Sequence, residues 1–250
     1  MLIVGGSYQD AEILRVVGFR RMTLSNLQDM ASFEPLQMTG VELRTVNADA
    51  EEMSLADGSY DLVLAHEVLH HCRSPHKALL EMLRVSSKHV ILLEPNDSLL
   101  MQALVRFRLS FPYELPAVVA NGFEAGGVRN SCVPNYIYRW SPRDLQQTTA
   151  SFLPESECDF YIRSYWDFNV DREELARRDQ TRIGSFTRIV GPGLFLAGLH
   201  VFQAIATHLP WVREQGNKFF GCVTKRDELK PWLLRQGDGI AFNREHGAKG

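Results

Sequence analysis

Hydrophobic and polar positions along this chain follow a pattern of short buried strands separated by amphipathic helices. The apolar run Leu2–Val4 ends in a glycine turn, and residues 10–17 then place apolar side chains at helical spacing up to Gly18. Further strands are predicted at 22–24, 41–46, 60–65, 89–93, 159–166 and 218–225, and further helices at 75–86, 97–109 and 143–150. Strands that alternate with helices are typical of a doubly wound α/β sheet with helices on both faces.

The predicted strands span residues 1–230, which we predict to form one domain, and residues 231–250 have the composition of a C-terminal tail. Residues 110–140 interrupt the pattern with prolines, a Gly126–Gly127 pair and many aromatic side chains. A long irregular segment inside a compact domain is commonly a lid or a binding loop. We therefore predict an aromatic insertion or lid at 110–140.

The charge and cysteine content narrow the classes of partner and compartment. A net charge of −3 gives no overall basic field, so nucleic acid is not a favoured partner. The four cysteines are widely spaced without a CxxC pair, which argues against a disulfide framework or a structural zinc site. No signal peptide precedes the first predicted strand. These features favour a cytoplasmic protein.

Residues 189–209 are the one membrane-like segment of the sequence. Pro192 lies near its start, and His200, Gln203 and Thr207 fall on one face of the predicted helix. That polar face makes the helix amphipathic rather than a membrane span. We predict a core or lid helix, with peripheral membrane contact through this segment as the alternative.

Candidate binding residues cluster at 47–71, around the ends of two predicted strands, where open α/β sheets bind their ligands. The Asp49 carboxylate can accept a hydrogen bond from an exocyclic amine such as that of adenine, and the Ala50 N–H can meet a ring nitrogen. A solvated loop carboxylate is the alternative. The Gly5–Gly6 turn allows a ligand close to the first helix, although the pattern G-x-G-x-x-G is not met.

Three histidines follow the fourth predicted strand: His66, His70 and His71. Residues 66–70 read H-E-V-L-H, which matches the two-histidine pattern of zinc proteases. That mechanism requires one continuous helix, whereas these residues leave a buried strand, and no third ligand is evident in the sequence. We therefore predict no metal site.

The order of these motifs resembles class I S-adenosylmethionine-dependent methyltransferases, most closely the type 11 subgroup that includes the ubiquinone-biosynthesis type. The resemblance covers residues 1–95, and its specific part is the run from Asp49-Ala50-Glu51 to Asp57-Gly58-Ser59-Tyr60-Asp61, followed by Glu67-Val68-Leu69-His70-His71. It implies a Rossmann-like, doubly wound α/β fold with a seven-stranded sheet. The last strand of that sheet would be antiparallel, and residues 218–225 would supply it.

The resemblance also implies S-adenosyl-L-methionine as cofactor and assigns residues to it. Gly5, in the glycine turn it shares with Gly6, would lie under the methionine portion. Asp49 would bond the adenine amine with Ala50 beside it, and the backbone of His66 would face the cofactor. Asn26 stands where the family has an acid that binds the ribose hydroxyls.

The sequence departs from the family pattern near its start. Ile3 replaces the usual acid of the first motif, and Ser7 and Gln9 replace later glycines. The helices that usually precede the first strand and cover the cofactor do not appear. Either the start is truncated or the insertion at 110–140 supplies the cover.

The implied activity is methyl transfer to a small molecule, such as a natural product, a sugar or a lipid-linked acceptor, and we predict O-methylation. An oxygen nucleophile benefits from a general base, for which His70 or His71 is the candidate. Glu94 would orient a neighbour or cap the next helix. Tyr136, Tyr138 and Trp140 would line an acceptor pocket or pack the insertion onto the sheet. The alternative function is a catalytically inactive binding or scaffold protein with the same fold.

Overall fold

The fold is built on one seven-stranded sheet in the order β3-β2-β1-β4-β5-β7-β6. The computed structural model describes residues 1–27, 39–168 and 187–247. The strands are β1 (Leu2–Val4), β2 (Arg21–Asn26), β3 (Glu42–Asn47), β4 (Tyr60–His66), β5 (Ser86–Pro95), β6 (Ser156–Tyr165) and β7 (Lys218–Leu229). β7 runs antiparallel to β5 and β6, while the pairs among β1 to β5 are parallel. The predicted Rossmann-like sheet with an antiparallel last strand is confirmed.

The described helices are α1 (Tyr8–Val17), α2 (Pro75–Val85), α3 (Leu99–Arg106), α4 (Leu115–Ala120), α5 (Pro142–Phe152), α6 (Pro192–His208), α7 (Pro210–Arg213) and α8 (Arg244–Gly247). Four of the described helices, α1, α2, α3 and α5, begin at a serine that caps them. The hydroxyls of Ser7, Ser74 and Ser141 accept backbone N–H groups at the starts of α1, α2 and α5. Gly18 ends α1 in the left-handed conformation, with φ at 116°.

Alternate side chains of the central strands pack into two separate cores, one on each face of the sheet. On one face, Val63 and Val90 pack with Leu79 of α2 and Leu145 of α5. On the other face, Ile3, Leu24 and Leu64 pack with Ala11 of α1. The continuous apolar strands of the sequence are therefore buried on both sides, as expected for parallel strands covered by helices.

The insertion at 110–140 contains α4 and a 3₁₀ turn (Val128–Asn130) and adds no strand to the main sheet. It returns to the sheet at Trp140, whose backbone bonds with Pro95 and whose side chain is fully buried. Residues 233–242 lie in the segment assigned to a C-terminal tail. They form a separate antiparallel pair, β8 (Leu233–Gln236) and β9 (Gly239–Phe242).

The apolar segment 189–209 is largely the single helix α6. Within the described ranges, no helix has both the length and the apolar character needed to cross a membrane. One side of α6 packs near Trp166 through Phe202, whereas Leu194, Val201 and Ile205 are exposed. Peripheral membrane contact through this exposed side stays a prediction.

The capping box of α5 gives a test of local stability. In Ser141→Ala, α5 loses the hydroxyl that accepts the Asp144 N–H, so we expect the free energy of unfolding to fall by about 1 kcal/mol. Ser151, which is exposed in the last turn of the same helix, is the matched control. Denaturant unfolding of Ser151→Ala should show a change within about 0.5 kcal/mol. An equal loss in both variants would contradict a capping role for Ser141.

Candidate functional site

Two clefts lie at the edge of the sheet where the parallel strands end. The first, the Asp49 cleft, has a volume of about 270 Å³ and lies beside the ends of β1, β2 and β4. The second, the apolar cleft, has a volume of about 740 Å³ and lies between the sheet edge, α3, α6 and the insertion. Glu67 lines both clefts, so they meet just after β4.

The Asp49 cleft gathers most of the residues that the sequence analysis assigned to a cofactor. Five line it: Gly5, Asn26, Asp49, Ala50 and His66. Gly5 has φ at 62°, and a Cβ there would lie 2.1 Å from Val68 Cγ2, so only glycine allows this turn to approach the chain after β4. Gly6 does not line the cleft; a Cβ on it would meet Ile3 instead.

The Asp49 carboxylate is held by both its own loop and the insertion. Its Oδ1 accepts the Glu51 N–H at 2.9 Å, and its Oδ2 lies 2.7 Å from the Arg129 guanidinium. Arg129 has φ at 51°, a conformation that few residues other than glycine adopt. Residues 126–130 thus form one wall of the cleft, and Arg129 reaches across it to Asp49.

His66 faces the start of α1. Its Nδ1 lies 3.0 Å from Asp10 Oδ1, and Asp10 also closes the capping box with Ser7. Burial opposes the charged form of Asp10, but its hydrogen bonds with His66 and Ser7 lower the pKa of the carboxyl. His66 ends β4, whereas His70 lies in the 3₁₀ turn Leu69–His71, so the H-E-V-L-H residues do not share a helix.

Glu94, at the end of β5, is completely buried and organises the turn that follows β4. Its Oε1 accepts the N–H groups of Val68 and Leu69 at 2.9 and 2.8 Å. Its Oε2 lies 2.7 Å from Nδ1 of His70. The carboxylate therefore fixes both the backbone of the turn and the orientation of the His70 ring, in line with the orienting role suggested by the sequence.

His70, His71 and Glu114 converge where the two clefts meet. Nε2 of His70 and Nε2 of His71 lie 3.3 and 3.4 Å from Oε2 of Glu114, and the two rings are 4.5 Å apart. Burial disfavours the imidazolium of His70, but Glu114 and Glu94 outweigh it and raise the pKa of His70 to about 9. Burial and the neighbouring His70 lower the pKa of His71.

The apolar walls of the apolar cleft come from α3, α6, the insertion and the segment after β6. They include Met101, Leu104, Phe111, Ile137, Trp166, Phe168, Phe195, Leu199 and Phe202. Polar side chains from the insertion, among them Ser110 and Arg139, also line it. At the sheet edge, Glu67 forms an ion pair with Lys218 of β7. Glu67 has φ at 52°, which turns the chain sharply after β4.

The aromatic residues named from the sequence do not line the apolar cleft. Trp140 is fully buried in the main core, and Tyr138 donates or accepts a hydrogen bond with His76 at 2.8 Å. Tyr136 and Tyr138 instead border a separate polar depression with Asp97 and Arg139. Tyr138 and Trp140 pack the insertion onto the main core, which was the alternative left open by the sequence. Tyr136 is exposed and contacts Tyr113 within the insertion.

The sequence did not indicate three residues of the site: Glu114, Arg129 and Lys218. Glu114 and Arg129 lie in the irregular insertion, where no periodicity indicates which side chains turn inward. Lys218 was placed in the last strand but is 151 residues from its partner Glu67. The sequence pointed to these residues only through the prediction that the insertion at 110–140 is a lid.

Comparisons with known proteins agree with this architecture. Residues 14–93 match the family model described as a methyltransferase domain, Methyltransf_11. No curated protein matches the chain. The YcgJ protein of Bacillus subtilis is 12% identical with a TM-score of 0.51 and covers 91% of each chain. A methyltransferase solved with the Haloferax volcanii Trm112 activator is 12% identical with a TM-score of 0.52, over 89% of this chain and 80% of that one.

A further solved structure is a SAM-dependent methyltransferase from Archaeoglobus fulgidus. It is 14% identical, covers 90% of this chain and 85% of its own, and has a TM-score of 0.44. The two likenesses with TM-scores above 0.5 establish the fold alone. The family model matches residues 14–93 as a methyltransferase domain.

Replacing Glu94 tests whether its carboxylate holds the turn after β4. Glu94→Gln keeps one oxygen for the Val68 and Leu69 N–H groups but turns an amide toward His70 Nδ1, which also donates. We expect a loss of about 1–3 kcal/mol in the free energy of unfolding, measured by denaturant titration. Glu124→Gln, at an exposed position of the insertion, should be close to neutral. Unchanged stability of Glu94→Gln would refute the organising role.

Proposed function

We propose that this chain is a class I S-adenosylmethionine-dependent methyltransferase that methylates an oxygen of a small, largely apolar acceptor. The match of residues 14–93 to a methyltransferase domain supports the proposal. The observation that carries this proposal is the meeting of two unlike clefts at one point. A small polar cleft lies beside Asp49, a larger apolar one lies beyond it, and Glu67 borders both.

In this proposal, the Asp49 cleft binds S-adenosylmethionine. The amine of adenine donates to Asp49, and the Ala50 N–H meets a ring nitrogen. Asn26 bonds with the ribose hydroxyls as a neutral amide. Gly5 lies under the methionine portion, and the backbone at His66 faces it. The position of Asp49, Asn26 and Gly5 on the walls of one cleft supports these roles.

The apolar cleft receives the acceptor. Its walls are aliphatic and aromatic, and its volume of about 740 Å³ falls within the range of sites for small molecules. An aromatic natural product or a lipid-linked acceptor fits such a lining better than a free sugar, because a sugar would leave many hydroxyls without partners. Glu67 and His70 line its end at the sheet edge, next to the Asp49 cleft, and we place the reacting hydroxyl there.

Methyl transfer is a displacement at the sulfonium carbon. The acceptor oxygen forms a bond to the methyl carbon, the carbon–sulfur bond breaks, and its electron pair stays on sulfur. Much of the acceleration comes from holding both reactants in line in a site that excludes water. The hydroxyl proton must also leave, and we assign its removal to the cluster of His70 and His71, which borders both clefts. Within it His71 is the base, because its lowered pKa leaves the imidazole able to accept a proton, whereas the raised pKa of His70 keeps that ring protonated.

A cofactor titration tests the assignment of the Asp49 cleft. Asp49→Ala should weaken the binding of S-adenosylmethionine by about 1–3 kcal/mol, because the adenine amine loses its acceptor. Isothermal titration calorimetry measures this directly. Glu52→Ala removes an exposed carboxylate from the same loop and should leave the affinity unchanged.

Asp49→Ala removes both the acceptor for the adenine amine and the ion pair with Arg129, and Arg129→Gln tests the second loss alone. It removes the ion pair with Asp49 while the carboxylate remains. The affinity should therefore stay equal to that of the wild type or rise. If the wild-type protein shows no binding of S-adenosylmethionine at millimolar concentration, the enzymatic function is wrong and a scaffold role is left. An unchanged affinity in Asp49→Ala would mean that adenine binds elsewhere.

An acceptor screen tests the apolar cleft. The protein is incubated with S-adenosylmethionine and a panel of phenols and long-chain alcohols, amines and thiols, and methylated products are identified by mass spectrometry. Leu199→Asn should lower kcat/KM for the best acceptor about tenfold or more, since a polar group replaces apolar wall. Val201→Asn, two residues along α6 and exposed, should match the wild type. Equal effects of the two substitutions would place the acceptor outside this cleft.

A further inference from the structure

The side chains of His70, His71 and Glu114 bring three metal-ligating atoms together at the junction of the two clefts. One ligating atom from each side chain lies within 4.8 Å of the other two. Two of these residues come from the 3₁₀ turn after β4, and the third precedes α4 in the insertion. We propose that this cluster binds a divalent transition-metal ion on the acceptor side of the active site.

The spacing of the donor atoms supports the proposal. Nε2 of His70 lies 3.3 Å and Nε2 of His71 lies 3.4 Å from the same Glu114 oxygen, Oε2. Zinc bonds to imidazole nitrogen and carboxylate oxygen are about 2.0–2.2 Å long, so two ligands of one tetrahedral zinc ion are roughly 3.4 Å apart. The distances from Glu114 Oε2 to the two histidine nitrogens therefore match two edges of such a tetrahedron.

The partners behind the ligands also suit a metal site. Histidine ligands usually donate their second ring N–H to a carboxylate or a carbonyl, which fixes the tautomer and points the other nitrogen at the metal. Nδ1 of His70 lies 2.7 Å from the buried Glu94, so Nε2, which faces Glu114, is the nitrogen that would ligate the ion. The amide of Asn135, itself fully buried, donates to Oε2 of Glu114 at 3.1 Å and holds that carboxylate in place.

The donor set selects the kind of ion. Two imidazoles and one carboxylate suit Zn²⁺, Co²⁺ or Fe²⁺, whereas Mg²⁺ and Ca²⁺ prefer ligands that are all oxygen. Three protein ligands leave a position for an exogenous ligand, which is typical of catalytic rather than structural sites. His70 and Glu114 line the apolar cleft and His71 lines the Asp49 cleft, so an exogenous ligand can enter from the acceptor side.

The chemical consequence rests on the proposed function. Histidines that ligate an ion cannot also accept a proton, so with the ion bound the hydroxyl proton would go to solvent rather than to His70 or His71. The bound cation would release that proton by lowering the pKa of an acceptor hydroxyl coordinated to it. The resulting alkoxide or phenoxide attacks the methyl carbon, and the carbon–sulfur electron pair passes to sulfur. The balance is one acceptor hydroxyl and one S-adenosylmethionine giving one methyl ether, one S-adenosylhomocysteine and one proton. No oxidant or reductant takes part.

Metal binding can be measured without cofactor or acceptor. The full chain is treated with a chelator, and Co²⁺ and then Zn²⁺ are titrated in separate experiments. We expect one ion per chain by calorimetry, a visible d–d absorption spectrum of a nitrogen- and oxygen-ligated Co²⁺, and a rise in Tm with Zn²⁺. Absence of stoichiometric binding would overturn the proposal. The two histidines and Glu114 would then be held together by hydrogen bonds alone.

Variants decide whether the ion binds at this cluster. His71→Ala and Glu114→Gln should each weaken the affinity for Zn²⁺ at least tenfold and remove the Co²⁺ spectrum. His200→Ala, at an exposed position of α6, should bind as the wild type does. Circular dichroism establishes that each variant is folded, and His71→Gln replaces His71→Ala if the latter is not. Full affinity in the folded cluster variants would assign the ion to surface histidines and overturn the site.

Failure of this proposal and failure of the proposed function are distinguishable. S-adenosylmethionine is titrated into the chelator-treated protein in a separate experiment. Cofactor binding without any metal binding would overturn the metal site alone. Metal binding without cofactor binding would overturn the proposed function and leave the metal site supported.

Discussion

A single buried carboxylate, that of Glu94, connects the sheet to the site. Its two oxygens accept two backbone N–H groups of the turn after β4 and one imidazole nitrogen. A buried charge of this kind is stable only when hydrogen bonds replace the water that it has lost. The turn after β4 cannot relax without leaving that charge unsatisfied, so the backbone that separates the two clefts is among the most constrained parts of the molecule. The positions of His70, His71 and Glu67 all follow from it.

The sheet was largely predictable because its information is local. Strands β1, β4 and β5 are short apolar runs. Three helices begin at serines whose hydroxyls accept an N–H three residues further on: Ser7, Ser74 and Ser141. The resemblance to a known family then predicted that the last strand, β7, pairs antiparallel. Where apolar side chains are exposed or the chain is irregular, these local rules stop working. The pair β8–β9 lay in a segment that composition alone assigned to a tail.

The candidate site was predictable only on one side. Asp49, Ala50, Asn26 and Gly5 follow strands or precede a helix, and such positions meet at one edge of a parallel sheet whatever the rest of the chain does. The other side depends on contacts between distant segments. Glu114 reaches the histidines across an irregular insertion, and the aromatic walls of the apolar cleft come from α6 and the segment after β6. Phe111 of the insertion adds a further aromatic side chain to that lining. Neither periodicity nor motif spacing indicates which of these distant segments meet.

The ion pair between Glu67 and Lys218 joins residues that are 151 positions apart, one after β4 and the other at the start of β7. Strands β1 to β5 and the Asp49 loop are synthesised long before β7. Because β7 also pairs with both β5 and β6, the apolar cleft is completed only when the last part of the chain enters the sheet. During synthesis, the residues of the Asp49 cleft therefore precede those that complete the apolar cleft. The order of assembly is thus set by topology, and the apolar cleft closes last.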